Sequence, residues 1–299
     1  MKKALFIALA AFIALTSAAC SRGQERTGDG GLTVSVTIDA VYEFTKAIAG
    51  DRATINKIVP DGASAHDFEP KARDVEGIAD SGLIVTVGLG MEPWLKKIQS
   101  ENSGLFVIEA SSGVTPIYVD EETHGDEHEH SEYDPHMWLS LSCAAEMVSN
   151  IKDALCELSP ENKVFFDENC RIYLEQLDDL HNEYAQKFDA LKKKDFVTSH
   201  AAFSYMCRDY GLVQNSVSGV FSEGEPNARK IAELTDFCKE NGITVIFAEY
   251  GESPRLQETL ARQTGARVET LYTIEMPEDG RDYIERMSHN LSVIYGSFN

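Results

Sequence analysis

A regular alternation of short β-branched segments and amphipathic helical segments runs through the chain after residue 32. TVSVTI, at 33–38, is predicted to be a strand, and the helical pattern of YEFTKAIAG after it ends at Gly50, a residue type typical of helix C-caps. The alternation resumes with DFVTS near residue 195. Strands that alternate with helices indicate βα units and parallel sheets. We therefore predict an α/β fold of two lobes, each a mostly parallel sheet flanked by helices, with right-handed crossovers.

One long helical stretch lies between the two α/β patterns. It begins favourably, because Ser159 is a good cap residue and Pro160 suits the first helical position. Apolar residues recur at three- and four-residue steps from Phe165 to Leu191, and the lysines at 192–194 suit the negative end of a helix dipole. About 33 residues at 1.5 Å each would span about 50 Å. We predict a stiff helix that joins the two lobes.

The N-terminus has the organisation of an export signal. Lys2 and Lys3 precede an apolar run that is too short for a comfortable membrane span. Small residues then lead to Cys20, which favours a lipoprotein signal, with Cys20 lipidated after cleavage, over an ordinary secretory signal. The polar segment that follows has the composition of a tether. The predicted organisation is a signal peptide (1–19), a lipidated tether (20–31), an N-terminal lobe (32–158), a linking helix (159–194) and a C-terminal lobe (195–299).

Charge and cysteine content narrow the classes of function. The net charge of −22 indicates a chain that repels nucleic acid and attracts cations. Five cysteines follow Cys20, an odd number with no CxxC spacing, so we expect mostly small buried thiols and at most one or two disulfides. The sequence has no Gly-rich phosphate cradle and no nucleophile triad at recognisable spacing.

Histidines and carboxylates are concentrated in one short segment. Four of the eight histidines fall between His124 and His136, together with five carboxylates. Imidazole and carboxylate donors suit zinc and related ions, and a His-rich acidic run favours metal contact over a merely solvated loop. We predict that His124, His128 and His130, in loop 120–135, capture metal weakly and raise its concentration near the cleft.

Three histidines share a position relative to the predicted strands. His66 follows a strand, His136 precedes a helix, and His200 ends the strand DFVTS. In open α/β sheets, ligands bind outside the carboxyl ends of the strands. Each histidine alone could be a surface or capping residue. Together, two from the first lobe and one from the second, they predict a His₃ metal site between the lobes.

Three motifs, in this order, carry a family resemblance: PDGASAHDFEP, DPHMWL and TSHAAFSYM. With the lipoprotein signal and the His-rich loop, they resemble the metal-binding solute-binding proteins of bacterial ABC importers, and most closely the zinc-uptake members. The resemblance extends from about Thr33 to the C-terminus. It implies that His66, His136 and His200 are metal ligands, and that the cargo is Zn²⁺, because the manganese branch usually has a carboxylate in place of His200.

The same resemblance implies a place and a partner for the chain. It would be a receptor, anchored by lipid to the outer face of the cytoplasmic membrane or periplasmic, which delivers zinc to an ABC transporter permease. A monomer is expected, and no nucleic acid is involved. A manganese or broad divalent-metal receptor is the alternative.

The fourth ligand departs from the common family pattern. Tyr272 stands near the position where many members have an aspartate, and Ala65 stands where some zinc members have an acid. Glu275, Glu249, a water molecule or a residue of the flexible loop could complete the site, and the sequence leaves these alternatives open.

Two other classes of function remain at this stage. A His₃ site with a bound water could belong to a zinc hydrolase. The chain lacks an HExxH motif, however, and Glu249 is the one candidate base we would name. A surface adhesin with a structural metal site is the other possibility. We predict a receptor that is not an enzyme.

Overall fold

The computed structural model describes residues 31–119, 131–221, 228–277 and 279–298, and the described residues from Leu32 onward form one compact unit. The first half contains the strands β1 (Leu32–Val36), β2 (Ala53–Lys57), β3 (Leu83–Thr86) and β4 (Val107–Glu109) and the helices α1 (Asp39–Ala49), α2 (Ala72–Ala79), α3 (Leu95–Glu101) and α4 (Leu141–Leu158). The long helix α5 spans Lys163–Asp189. Among the described residues, no helix has the length and apolarity needed to cross a membrane.

The second half repeats the scheme of the first. Its elements are β5 (Asp195–His200), α6 (Ser204–Tyr210), β6 (Val213–Ser218), α7 (Ala228–Asn241), β7 (Val245–Glu249), α8 (Arg255–Thr264), β8 (Arg267–Leu271) and α9 (Tyr283–Gly296). Both sheets are parallel, with the equivalent strand orders β2-β1-β3-β4 and β6-β5-β7-β8. The predicted fold class, two parallel sheets flanked by helices and linked by a long helix, is confirmed.

The strand order locates the place where a ligand can bind. In each sheet the chain moves outward in one direction and then returns to the other side of its first strand, which creates a switch point between β1 and β3 and another between β5 and β7. Crevices form at the carboxyl ends of strands on either side of such a point. His200 and Glu249 are the last residues of β5 and β7, so both stand at the switch point of the second sheet.

The main hydrophobic core is shared by both lobes. One continuous cluster of buried side chains includes Phe44 of α1, Phe166 and Phe188 of α5, Phe247 of β7 and Leu291 of α9. Two smaller clusters lie on the outer faces of the sheets, around Ile246 with α7 and α8 and around Ile84 with α2 and α3. Because α5 contributes to the shared core, it fixes the two sheets against one another.

The linking helix is shorter than predicted. Pro160 opens a 3₁₀ turn (Pro160–Asn162), and α5 then runs for 27 residues, about 40 Å, rather than for about 50 Å. The lysines at 192–194 lie beyond its end and not in its last turn, which corrects that expectation. Lys193 Nζ donates to the carbonyl of Asn241 and Lys194 Nζ to that of Tyr210, so these charges serve contacts with the second lobe.

The cysteines of the described residues are all free thiols. Cys143, Cys170 and Cys238 are buried, whereas Cys156 and Cys207 are half-buried. The prediction that the cysteines are small buried side chains therefore fits three of these five. No disulfide forms among them, although the sequence allowed one or two.

Candidate metal centre

Four side chains converge in the cleft between the two sheets. His66 lies in the loop after β2, His136 immediately precedes a 3₁₀ turn (Met137–Leu139) that leads into α4, His200 ends β5, and Glu275 follows β8. One donor atom from each residue lies within 4.8 Å of the others. The three histidines predicted from strand ends are thus brought together, and a carboxylate joins them.

The distances between donor atoms suit a small tetrahedral ion. Nε2 of His136 lies 3.1 Å from Nε2 of His66 and 3.4 Å from Nε2 of His200. Oε1 of Glu275 is 3.7 Å from Nε2 of His66 and equally far from Nε2 of His136. Ligands bound to zinc at 2.0–2.1 Å in a tetrahedron are separated by about 3.3–3.4 Å. Small side-chain adjustments are sufficient for these four atoms to surround one Zn²⁺.

The structure distinguishes the two glutamates proposed for the fourth position. Glu275 faces the histidine Nε2 atoms directly and is largely buried, with 10% of its side chain exposed. Glu249 instead lies behind His200, where its Oε1 is 2.6 Å from Nδ1. The geometry therefore favours Glu275 as the donor and gives Glu249 a supporting position.

Two of the imidazoles are oriented by carboxylates. Nδ1 of His136 lies 2.9 Å from Oδ1 of Asp134, which also accepts the backbone N–H of His136. Glu249 holds Nδ1 of His200 in the same way. A carboxylate at one ring nitrogen fixes the tautomer and turns the lone pair of the other nitrogen toward the metal. Asp134 is not among the site residues predicted from the sequence, although its position two residues before His136 is a usable signal.

The protonation of these histidines responds to their surroundings in opposite ways. Burial lowers the pKa of His136 and outweighs the contrary effect of Asp134. Burial also opposes the charge on His200, but the nearby carboxylate of Glu249 prevails and raises the pKa of His200. His136 is thus ready to bind a cation as a neutral ligand, whereas a proton competes more strongly at His200.

The charge of Glu275 is stabilised by the three histidines. Burial alone would raise its pKa, but the hydrogen bond and the positive field of His66, together with the fields of His136 and His200, lower it to about 2. A carboxylate that stays ionised in this buried position supplies the negative charge that a divalent cation needs when it leaves water.

Residues 117–119 and 132–134 pair with each other and form a neck at the base of the His-rich segment. Tyr118 and Tyr133 form an isolated antiparallel bridge, and the backbone N–H of Asp134 donates to the carbonyl of Ile117. The hydroxyl of Tyr205, on α6, accepts from the N–H of Ile117 and donates to the carbonyl of Asp134. His124, His128 and His130 lie outside the described residues, so metal capture by that loop stays a prediction. Its neck adjoins His136.

Tyr272 does not face the metal centre, although the family comparison of sequences drew attention to it. Its hydroxyl donates to Asp279, 2.6 Å away, and its ring packs beside Tyr250 and His289. Glu275, three residues later in the chain, faces the histidines instead.

The fold and this donor set match a known family. A profile described as "ZnuA: Zinc-uptake complex component A periplasmic" matches residues 34–296. The chain belongs to this zinc-uptake family. Its members are extracytoplasmic solute-binding proteins that work with ABC transporter permeases, and the family is not one of enzymes. The chain is accordingly a metal-binding receptor of an ABC import system, as the sequence resemblance implied.

The chain matches nearly the whole length of one relative and only part of another. A protein of Treponema pallidum (strain Nichols), named provisionally as a metal-binding protein, is 39% identical over 305 residues. The match covers 99% of this chain and 96% of that protein. The zinc-binding lipoprotein AdcA of Streptococcus pneumoniae (strain R6) is 36% identical over 98% of this chain, but the chain spans only 60% of AdcA.

A solved structure agrees with the fold in detail. The laminin-binding protein Lmb of Streptococcus agalactiae superposes with a TM-score of 0.81 at 34% identity, over 90% of this chain and 100% of that one. That protein is described as bifunctional, with adhesin and metal-transporting activity.

Proposed function

We propose that this member of the family is a zinc receptor, which captures Zn²⁺ outside the cytoplasm through His66, His136, His200 and Glu275 and delivers it to its permease. The observation that carries the proposal is the convergence of three imidazole Nε2 atoms and one carboxylate oxygen within 4.8 Å. The two buried carboxylates behind His136 and His200 support it, since such partners are a regular feature of metal-binding histidines.

The donor set favours zinc over other divalent ions. Calcium and magnesium require mostly oxygen ligands and higher coordination numbers, whereas three nitrogens and one oxygen match tetrahedral zinc. Copper, cobalt and nickel are not excluded by affinity, so selectivity among these ions depends on geometry and on supply. A manganese or broad divalent-metal receptor is the alternative, and it requires this nitrogen-rich site to accept a harder ion.

Anchoring and assembly complete the proposal. Lipidation at Cys20, which lies outside the described residues, would hold a monomeric receptor at the membrane. The name of AdcA, a zinc-binding lipoprotein, supports this arrangement.

The structure favours a zinc receptor over the two alternative classes, a zinc hydrolase and an adhesin. In a zinc hydrolase Glu249 would have to be free to activate water, but its carboxylate is engaged by His200 and lies on the far side of that ring from Nε2. Adhesion is the second candidate, on the grounds of the likeness to Lmb, and it is compatible with metal transport in that protein.

A calorimetric titration tests the proposal. Residues 21–299, stripped of metal, are titrated with zinc and then challenged with manganese, beside His200→Ala and the control His289→Ala, whose imidazole bonds the carbonyl of Thr270. We expect one tight zinc event that manganese does not displace, that His200→Ala abolishes and that His289→Ala leaves intact. Equal or tighter manganese binding would contradict the cargo, and tight zinc binding by His200→Ala would contradict the site.

A further inference from the structure

The short segment that carries Glu275 is bonded to the N-terminal lobe, although it follows the last strand of the C-terminal sheet. Three successive carbonyls of this segment accept hydrogen bonds from donors in the first half of the chain: Thr273 O from Trp138 Nε1 (2.7 Å), Ile274 O from the Ala40 N–H (3.0 Å) and Glu275 O from the Asp39 N–H (3.0 Å). Two of these donors are the first N–H groups of α1, which lack partners within their own helix.

A buried ion pair closes the same arrangement. Nη2 of Arg286, on α9, donates to Oδ2 of Asp39 at 2.8 Å, and the two side chains are 1% and 3% exposed. Nη1 of Arg286 donates to the carbonyl of Met276 at 3.2 Å. The fourth successive carbonyl is thus held by a guanidinium that is itself fixed by the first residue of α1.

The backbone at Ile274 shows that the segment is held against its own preference. Ile274 has a φ of +57° and is fully buried. This region is unfavourable for a β-branched residue, and it persists only where the surroundings enforce it. The next residue is Glu275, so the unusual backbone lies immediately before the proposed ligand.

We propose that Trp138 and the Asp39–Arg286 pair are positioning residues for Glu275. Through them the N-terminal lobe sets the fourth donor in place, so three of the four donors are fixed to one body and His200 alone is carried by the second sheet. This inference rests on the proposed function, because it concerns how the same site acquires its carboxylate.

The test is a double-mutant cycle on zinc affinity, measured by competition with a chromophoric chelator. Trp138→Phe keeps an aromatic ring beside His136 and removes the indole N–H that bonds Thr273. We expect Trp138→Phe to lower zinc affinity about 10-fold, in the range found for partners that orient metal ligands. In the Glu275→Gln background the same change should have almost no further effect, because the residue it positions has lost its charge. Additive losses would overturn the proposal.

Matched variants separate this result from a general loss of stability. Tyr283→Phe removes a neighbouring buried hydrogen bond, from the Tyr283 hydroxyl to the carbonyl of Trp138, without touching segment 273–276, and should retain zinc affinity. Arg286→Lys keeps the charge beside Asp39 and loses the bond to Met276. It should show the same non-additivity with Glu275→Gln, and it serves if Trp138→Phe does not fold.

The outcome for Glu275 itself distinguishes two failures. Wild-type zinc affinity in Glu275→Gln would overturn the positioning proposal while leaving a receptor based on the histidines. Tight zinc binding that survives the loss of His200 would instead contradict the proposed site as a whole. Cobalt-loaded protein adds an independent readout, since Trp138→Phe should change the visible absorption of the bound ion toward that of Glu275→Gln, and an unchanged spectrum would count against the proposal.

Discussion

His200 and Glu249 end adjacent strands of the second sheet, and Nδ1 of the imidazole lies 2.6 Å from Oε1 of the carboxylate. Because both residues stand at the switch point, the parallel register of β5 and β7 places them side by side. Asp134 does the same for His136 through a local turn of two residues. One supporting carboxylate therefore comes from long-range sheet topology and the other from neighbouring sequence.

Replacement of the carboxylate behind His200 should weaken the site without destroying it. Glu249→Gln retains an oxygen that can accept from Nδ1 but loses the negative charge that makes the imidazole a stronger ligand. We expect zinc affinity to fall by about 10- to 100-fold, measured by chelator competition. Glu258→Gln, the same change on an exposed side of α8, is the control. Unchanged affinity in Glu249→Gln would show that the contact does not support the metal.

Zinc affinity should decrease as the pH falls, beginning with the protonation of His200. Its pKa is raised by Glu249 above the ordinary imidazole value of about 6.5, so protons compete with zinc at His200 before they reach His136, whose pKa burial lowers. In Glu249→Gln the onset should move to lower pH. The measurement is affinity between about pH 8 and about pH 5, and a constant value over that interval would contradict imidazole ligation.

A buried glutamate away from the metal should make the stability of the metal-free protein depend on pH. Burial raises the pKa of Glu92 to about 7, against the hydrogen bonds from Gly88, Thr37 and Val87. Because the pKa of Glu92 is higher in the folded protein than in the unfolded chain, its contribution to stability is fully present below the pKa of the unfolded chain. That contribution is lost as the pH rises to about 7. Compared with Glu92→Gln, the wild type should lose about 3 kcal/mol of unfolding free energy over that interval.

Urea unfolding at about pH 4.5 and about pH 8 measures this difference. Glu76→Gln, an exposed carboxylate on α2, is the matched control and should follow the wild type at both values. Parallel curves for wild type and Glu92→Gln would show that the ionisation of Glu92 is not linked to folding.

Removal of the His-rich segment should leave one tight zinc site. The bridge between Tyr118 and Tyr133 and the pairing of Val119 with Glu132 allow the intervening residues to be replaced by a two-residue Asn-Gly turn. We expect the weak zinc-binding events to disappear from the calorimetric titration and the tight event to remain. The tight event remains because the neck and the Asp134–His136 contact are retained. Loss of the tight event would mean that the segment contributes a ligand.

The sequence was sufficient to predict the fold and to select three histidines that the structure brings together, because both depend on local patterns. His66 follows a strand, His136 precedes a helix and His200 ends a strand, and loops at the carboxyl ends of parallel strands meet at one edge of a sheet.

The fourth donor could not be chosen from the sequence, for a physical reason. Glu249 ends one strand of the second lobe and Glu275 follows another, so both are acids near strand ends. Glu275 differs from Glu249 in the backbone turn at Ile274 before it and in the nearby hydrogen bond from Trp138 to Thr273, which joins residues 135 positions apart in the chain. The excess length predicted for the linking helix has a similar origin. Its apolar pattern continues to Leu191, but the helix ends at Asp189, and the chain then enters β5 at Asp195.

The hydrophobic core that passes through both lobes and α5 limits how cargo preference can change within such a chain. A lobe transplanted from a relative would have to match an apolar face on its new partner as well as supply ligands, and a mismatch there would disturb packing that is as tight as in any protein interior. Exchange of single ligands and of the carboxylates behind them leaves that face untouched. Divergence between receptors for different ions is therefore expected to proceed through individual positions at the strand ends, with the two halves inherited together.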